Sequence, residues 1–232
     1  MSAQDEEKRQ AGVAAAEHVH SGMALGLGSG STVYFFLQEL GRRVGQGLEV
    51  AGIPTSERTA ALARQFRIPL TTFDERQELD LAVDGADEVD PQLNLIKGHG
   101  GALLREKIIA RAARRLVIVV DGTKLSPALA TNMSLPVEVV PFACALAQKR
   151  LADLGAKPTL RQDAAKPFVT DNGNWILDCA FAPMADPATL EAAINAVPGV
   201  MDNGLFVGLA DEVIVARRGS IERLVRNGQR SA

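Results

Sequence analysis

Two hydrophobic periods share this chain. Short apolar runs rich in Val, Ile and Leu recur, each followed by a stretch with the three-to-four-residue apolar spacing of a helix. Residues 6–20 read as a helix, 23–27 as the first buried strand and 32–40 as the next helix. A strand over 48–53 precedes a helix over 57–66, and a strand over 79–83 ends in Asp84-Gly85-Ala86-Asp87. A helix over 102–113 leads to a strand over 115–120, which runs into Asp121-Gly122-Thr123-Lys124. This alternation predicts an α/β fold: a mostly parallel, Rossmann-like sheet flanked by helices.

The pattern changes near residue 130. A strand over 136–141 and an Ala/Leu-rich helix over 144–154 come first. Two runs, 168–171 and 174–179, then flank Asn172-Gly173, a strong hairpin signal. A helix over 187–196 follows and opens on Pro187, as helices often do. Strands over 205–209 and 213–216 return to the buried style of the first part. The expected organisation is a main α/β catalytic domain, 1–130 and 206–232, carrying a smaller inserted α+β (ferredoxin-like) domain, 131–205.

Composition narrows the function classes. With 232 residues, 47% of them hydrophobic, the chain can bury a core without covalent staples. Its 25 Lys+Arg and 28 Asp+Glu give a net charge of −3 with the basic residues dispersed, which argues against a nucleic-acid surface. Cys144 and Cys179 are far apart and form no C-x-x-C, so neither a disulfide framework nor structural zinc is expected. The first ten residues are polar, and no apolar run is long enough for a bilayer. The expected compartment is the cytoplasm.

Four clusters could carry chemistry. Gly26-Leu27-Gly28-Ser29-Gly30-Ser31-Thr32 joins the first strand to a helix. Glycines admit a ligand to the backbone, and a helix N-terminus offers N–H groups to an anion. The dinucleotide fingerprint fails because its last glycine would fall on Ser31, and the Walker pattern fails for want of Gly-Lys-Ser/Thr. A small phosphorylated metabolite fits the loop, as does a plain capped turn. Asp84 and Asp87 close the third strand, at the sheet edge where open α/β folds bind ligands. They could hold sugar hydroxyls. A metal is the weaker reading, because His18 and His20 lie two apart on a helix and face different ways.

Lys97-Gly98-His99-Gly100-Gly101 introduces the helix that contains Glu106. On a helical wheel Lys107, Arg111 and Arg114 gather on a solvent face, while Glu106 falls opposite among Ala102, Ile109, Ala110 and Ala113. A carboxylate among apolar neighbours is costly unless paired or functional. Desolvation would also raise its pKa toward that of a useful base. A pair with Arg105 is the plain structural explanation. Lys124 ends a strand at the same edge as the other three clusters.

Taken together, these segments resemble the A-type ribose-5-phosphate isomerases. The resemblance rests on Gly26–Thr32, Ile53-Pro54-Thr55-Ser56, Val83–Glu88, Ile96–Gly101, Arg105-Glu106-Lys107 and Asp121–Lys124. Leu135-Pro136-Val137-Glu138-Val139, Thr170-Asp171-Asn172-Gly173-Asn174 and Gly204-Leu205-Phe206 extend it over nearly the whole chain. It implies interconversion of D-ribose 5-phosphate and D-ribulose 5-phosphate through an enediolate, in the non-oxidative pentose phosphate pathway. Glu106 would be the proton acceptor, with Lys97, Asp84 and Asp87 completing the catalytic set. Ser29, Gly30, Ser31, Thr32, Asp84, Gly85, Ala86, Asp87, Lys97, Gly98, His99, Gly100 and Lys124 would bind the substrate.

No cofactor and no metal are implied. The partner is a small sugar phosphate, not nucleic acid or a membrane. A homodimer or homotetramer is implied, with the smaller domain at the interface. His99 stands where the family usually has glycine, and Thr123 where it more often has serine. Coenzyme A transferases and sugar-phosphate deaminases have similar folds and remain alternatives; a thioester trapped on Glu106 would identify the former. A sugar-phosphate sensor would need a DNA-binding module that neither end has room for.

Overall fold

The computed structural model describes residues 2–217 and 219–226. In chain order the elements begin α1 (Ala3–Ala16), β1 (Ala24–Leu27), α2 (Ser31–Val44), β2 (Ala51–Pro54) and α3 (Glu57–Gln65). Next come β3 (Leu81–Asp84), β4 (Glu88–Val89), β5 (Leu95–Ile96), α4 (Leu103–Ala112) and β6 (Leu116–Asp121). Then follow β7 (Leu135–Val139), α5 (Cys144–Asp153), β8 (Lys157–Leu160), β9 (Gln162–Asp163), β10 (Lys166–Pro167) and β11 (Trp175–Ala180). The last are α6 (Pro187–Asn195), β12 (Val200–Asn203), β13 (Leu205–Phe206), β14 (Glu212–Arg217) and β15 (Ser220–Val225). Contacts divide the chain into two compact units: one holds residues up to Ala86, Arg105–Lys124 and the segment from Leu209 on, the other Asp87–Leu104 and Leu125–Gly208.

The first unit is built on a six-stranded sheet of order β15-β14-β6-β3-β1-β2. Neighbours are parallel except β15, which runs antiparallel to β14. Strands β1, β3 and β6 are buried along their whole length, which is why they read as unbroken apolar runs. Leu25, Leu27, Val83, Val117, Val119 and Ile214 pack with Val33, Phe36, Leu37 and Leu40 of α2. From β1 the chain crosses to β2 on one side, and β3 then lies on the other. That reversal creates a crevice outside the carboxyl ends of β1 and β3.

Helix α1 is closed by a capping box, Ser2 with Asp5. It stops at Ala16, short of the predicted end at residue 20. Arg43 donates to the carbonyls of Ala16 and Val19 at this end of the helix.

In the second unit, β7, α5, β8, β11, α6 and β12 follow the β-α-β-β-α-β succession of ferredoxin-like folds. Their sheet has the order β12-β7-β11-β8, antiparallel throughout. Val137, Val139, Leu151, Leu177, Ile194 and Leu205 lie in its core. A small three-stranded sheet, β13-β5-β4, completes the unit with the β9–β10 pair.

The hairpin predicted for 168–179 is only a turn. Thr170 N–H donates to Asn174 O and Gly173 N–H to Thr170 O, but 168–171 form no strand. Both edges of β11 are already taken, by β7 and β8, so no edge remains for that segment.

Candidate active site

In the first unit the predicted residues collect at the carboxyl ends of β1, β3 and β6. Asp84, 3% exposed, ends β3. Its Oδ1 accepts the N–H groups of Ser29 (3.0 Å) and Gly85 (2.8 Å), which fixes the carboxylate across the β1 loop. A Cβ on Gly28 would come within 2.3 Å of that oxygen, so the close approach needs glycine. Ala86 follows, half-buried.

Ser29 Oγ lies 2.8 Å from Thr55 Oγ1, 2.8 Å from Ser56 Oγ and 2.9 Å from Thr59 Oγ1. One donor and two lone pairs are thus engaged inside the protein. Thr59 Oγ1 also lies 2.9 Å from Gly28 O, to which it donates, and Ser56 caps α3 by accepting Thr59 N–H. The three hydroxyls after β2 brace the glycine loop. Thr55 and Ser56 sit at a strand's carboxyl end, a signal that could have found them.

The same loop ends on Gly30 at φ 122°, a backbone conformation that favours glycine. Gly30 is the N-cap of α2, and no side chain caps the helix there. Gly30 and Ser31 are exposed, while Thr32 is 8% exposed. A 14-residue helix therefore presents its N-terminus without a side-chain cap, suited to an anion. Lys124 ends a short 3-10 turn after β6. Burial raises the carboxyl pKa of the preceding Asp121, but hydrogen bonds from Thr123 and Gln4 and the Lys124 charge outweigh it and hold it below its ordinary value.

Glu106 lies in the first turn of α4 and is 5% exposed. A Cβ on Gly26 would meet Ile109 Cγ2 at 2.4 Å, so α4 presses Ile109 directly onto β1. Glu106, one turn earlier on the same face, is thereby directed at the sheet. Because β3 and β6 are parallel, the helix joining them returns with its N-terminus at the strands' carboxyl ends. The wheel misplaced one neighbour: Lys107 is 6% exposed, while Ile108 is 47% exposed. Helix α4 is buried around most of its circumference, so no single solvent face includes Lys107. Arg105, the suggested partner of Glu106, donates to Glu57 at 3.0 Å.

The second unit gathers the other cluster. Asp87 N–H donates to Ile96 O (2.8 Å), and Asp87 Oδ2 accepts His99 N–H (3.0 Å). Lys97 is 3% exposed; its N–H donates to Gly204 O at 2.9 Å, and its Nζ stands 5.4 Å from the centre of the Phe206 ring. The Lys97 carbonyl passes so close to Gly204 that a Cβ there would approach it to 2.2 Å. Gly98 is at φ 102°, Gly101 N–H closes a turn onto its carbonyl at 3.0 Å, and Gly100 is exposed. The His99 ring bonds Ser134 O through Nε2 at 3.0 Å; since a carbonyl only accepts, Nε2 carries the proton. Nothing in the pattern around Ser134 marks it as a partner.

Among the described residues no group of three or more His, Cys, Asp or Glu is placed to hold a metal, and no helix is long and apolar enough to cross a membrane.

Residues 51–220 match the family model of ribose 5-phosphate isomerase A (phosphoriboisomerase A). The chain belongs to the ribose 5-phosphate isomerase A family. The ribose-5-phosphate isomerase A of Roseiflexus castenholzii is 52% identical over 220 residues, covering 94% of each chain. That of Gloeobacter violaceus is 53% identical over 218 residues, covering 94% of this chain and 95% of its own. The solved ribose 5-phosphate isomerase A of Methanocaldococcus jannaschii superposes with a TM-score of 0.92 at 39% identity, covering 96% of this chain and all of its own. A D-ribose-5-phosphate isomerase solved with phospho-erythronic acid superposes with a TM-score of 0.94 at 40% identity, covering 97% of this chain and all of that one.

Proposed function

We propose that this chain is an aldose–ketose isomerase that interconverts D-ribose 5-phosphate and D-ribulose 5-phosphate, in the non-oxidative pentose phosphate pathway. The observation that carries the reading is Glu106, a buried carboxylate turned toward the sheet in a chain of the ribose 5-phosphate isomerase A family. A proton must move between C1 and C2 through an enediolate, and one base on one face can shuttle it. Glu106 is that base. Lys97 and loop N–H groups stabilise the oxygen that gains charge. Asp84 and Asp87 hold sugar hydroxyls and assist ring opening. Gly30, Ser31, Thr32 and Lys124 take the phosphate, with the α2 N-terminus supplying partial positive charge. Ser29, Gly85, Ala86, Gly98, His99 and Gly100 shape the remaining contacts.

The relative solved with phospho-erythronic acid supports this assignment. That compound pairs a phosphate with a terminal carboxylate, a planar two-oxygen anion like an enediolate. The reaction needs no redox partner and no group carrier, so no cofactor is assigned.

The enzyme works in the cytoplasm, where the buried free thiols Cys144 and Cys179 stay reduced. It forms a homodimer or homotetramer through the inserted domain. Phe142, wholly exposed, and Leu146, 50% exposed, are apolar surface suited to such a contact.

The test is conversion of ribose 5-phosphate to ribulose 5-phosphate by purified protein, with Glu106→Gln as the diagnostic variant. Glu106→Gln keeps the shape but removes the base, and kcat should fall by at least ~10²-fold while substrate still binds. In heavy water the wild type should carry deuterium into the carbon-bound position and the variant should not. Near-normal turnover and exchange by Glu106→Gln would remove the base assignment.

A further inference from the structure

Arg161 lies just beyond β8, with its side chain only 13% exposed. Its Nε and Nη2 bind the two oxygens of Asp178 on β11, at 2.9 and 2.5 Å. Its remaining arm does something else. Nη1 donates to Gly98 O at 3.0 Å and to His99 O at 3.1 Å, two successive carbonyls of the loop that follows Lys97. Phe168 closes the arrangement: its N–H donates to Arg161 O, the guanidinium carbon lies 5.8 Å from its ring centre, and its ring fills the space a Cβ on Gly101 would need.

A trans peptide points its C=O and N–H in opposite directions. The Gly98–His99 peptide therefore has one end on Arg161 and the other on Asp87, whose Oδ2 accepts His99 N–H at 3.0 Å. The next peptide has its His99 carbonyl on Arg161, so the N–H of exposed Gly100 is aimed away from the guanidinium. One planar fork thus sets two peptide planes together. A single ammonium could not hold the Asp178 carboxylate bidentately and reach both carbonyls as well.

We propose that Arg161, held in place by Asp178, is a positioning residue for the isomerisation: it orients the Lys97–Gly100 loop and, through the Gly98–His99 peptide, the carboxylate of Asp87. This rests on the isomerase reading given above. Arg161 touches no reacting atom; it fixes the donors and the carboxylate that do.

The test compares the wild type with Arg161→Lys, Arg161→Met and the double variant Arg161→Met/Asp178→Leu, by isomerase kinetics, thermal unfolding and hydrogen exchange. Arg161→Met leaves Asp178 without its partner and should lower thermal stability; the double variant removes both charges and should recover it. Its kcat should nevertheless stay depressed by ~10- to 100-fold, the scale set by misplacing a reacting group by about 1 Å. Arg161→Lys, which keeps a charge beside Asp178, should also lose at least ~10-fold in kcat. A double variant that regains both stability and kcat would make the pair merely structural and overturn the proposal, as would full activity in Arg161→Lys.

The His99 amide gives a readout independent of turnover. Its exchange should accelerate by at least ~10-fold in the double variant, and unchanged protection would also sink the clamp. Absence of wild-type isomerase activity would instead defeat the functional reading while leaving the exchange result to judge the clamp.

Discussion

Gly28→Ala is a one-methyl test of how the β1 loop holds Asp84. Gly28 has no left-handed backbone; glycine is needed there for space alone. The added Cβ would lie 2.3 Å from Asp84 Oδ1, 2.4 Å from its Cγ and 2.6 Å from its Cα, where ordinary contacts begin at 3.4 Å. Rotating the carboxylate away does not relieve the contact with Cα. That atom belongs to β3, which is paired on both sides by β1 and β6. Relief therefore requires the loop and strand to part by about 1 Å, a distance a close-packed interior does not absorb freely.

Overpacking of this kind costs about 1–3 kcal/mol of stability, so Tm should fall by roughly 2–12 °C for a chain of this size. The same displacement stretches the Ser29 N–H bond to Asp84 Oδ1, and kcat/KM for ribose 5-phosphate should drop by ~10²-fold. Initial rates and thermal melts on wild type, Gly28→Ala and Gly45→Ala decide the matter. The last is the control, because a Cβ on Gly45 meets nothing closer than 3.4 Å. A folded Gly28→Ala enzyme with kcat/KM within about threefold of wild type would refute the reasoning.

Two further outcomes follow from groups away from the chemistry. His18 is held below its ordinary value of 6.5, chiefly by burial and against the pull of Glu212, with Arg115 and Arg223 adding to the depression. The unfolded chain then takes up the proton first as pH falls, so stability declines below about 6.5 until the folded histidine also titrates. Melts from about pH 7 to about pH 5 should show a steeper loss of Tm for wild type than for His18→Gln, and parallel profiles would count against the assignment. Glu138, fully buried on β7, gathers Thr170 Oγ1, Asn172 Nδ2 and Asn174 Nδ2 onto Oε1 at 3.0, 3.1 and 2.9 Å. Glu138→Ala should cost about 2–4 kcal/mol in a denaturant titration, and Glu138→Gln, which keeps an accepting oxygen, distinctly less. Equal losses would show that the carboxamide cannot hold the turn.

The parts of the fold that the hydrophobic pattern predicts are its interior. Strands β1, β3, β6 and β7 are buried throughout, and apart from Asp84, Asp121 and Glu138 they carry the apolar residues a buried strand favours. The longer strands absent from the prediction are edge strands. β8 and β12 flank the second sheet and β15 ends the first. β8 begins Lys157-Pro158 and alternates exposed with half-buried positions, while β15 carries Glu222 and Arg223 and is exposed along most of its length. Charge and proline at an edge discourage pairing with other chains, and the same residues hide the strand from a search for apolar runs. β4 and β5 escaped for a different reason: each has two residues, too few for any period to register.

The candidate site divides in the same physical way. Glu106 was legible because a carboxylate among alanines and isoleucine breaks a side-chain pattern. Lys107 departs from the wheel because a wheel assumes one wet face, and α4 offers hardly any. What the pattern could not carry is everything that passes through the main chain. Asp84 is fixed by two backbone N–H groups, Asp87 by a third, and Lys97 by the carbonyl of Gly204, more than a hundred positions later in the chain. A peptide group is the same at every position, so no residue type announces where its N–H will point. The glycines come nearest to doing so. Gly28 and Gly204 mark places where a carboxylate and a carbonyl come too close for any side chain, and each touches a group assigned to the reaction. Side-chain identity marks the candidate acids and bases here; the missing Cβ atoms mark where the backbone brings them close.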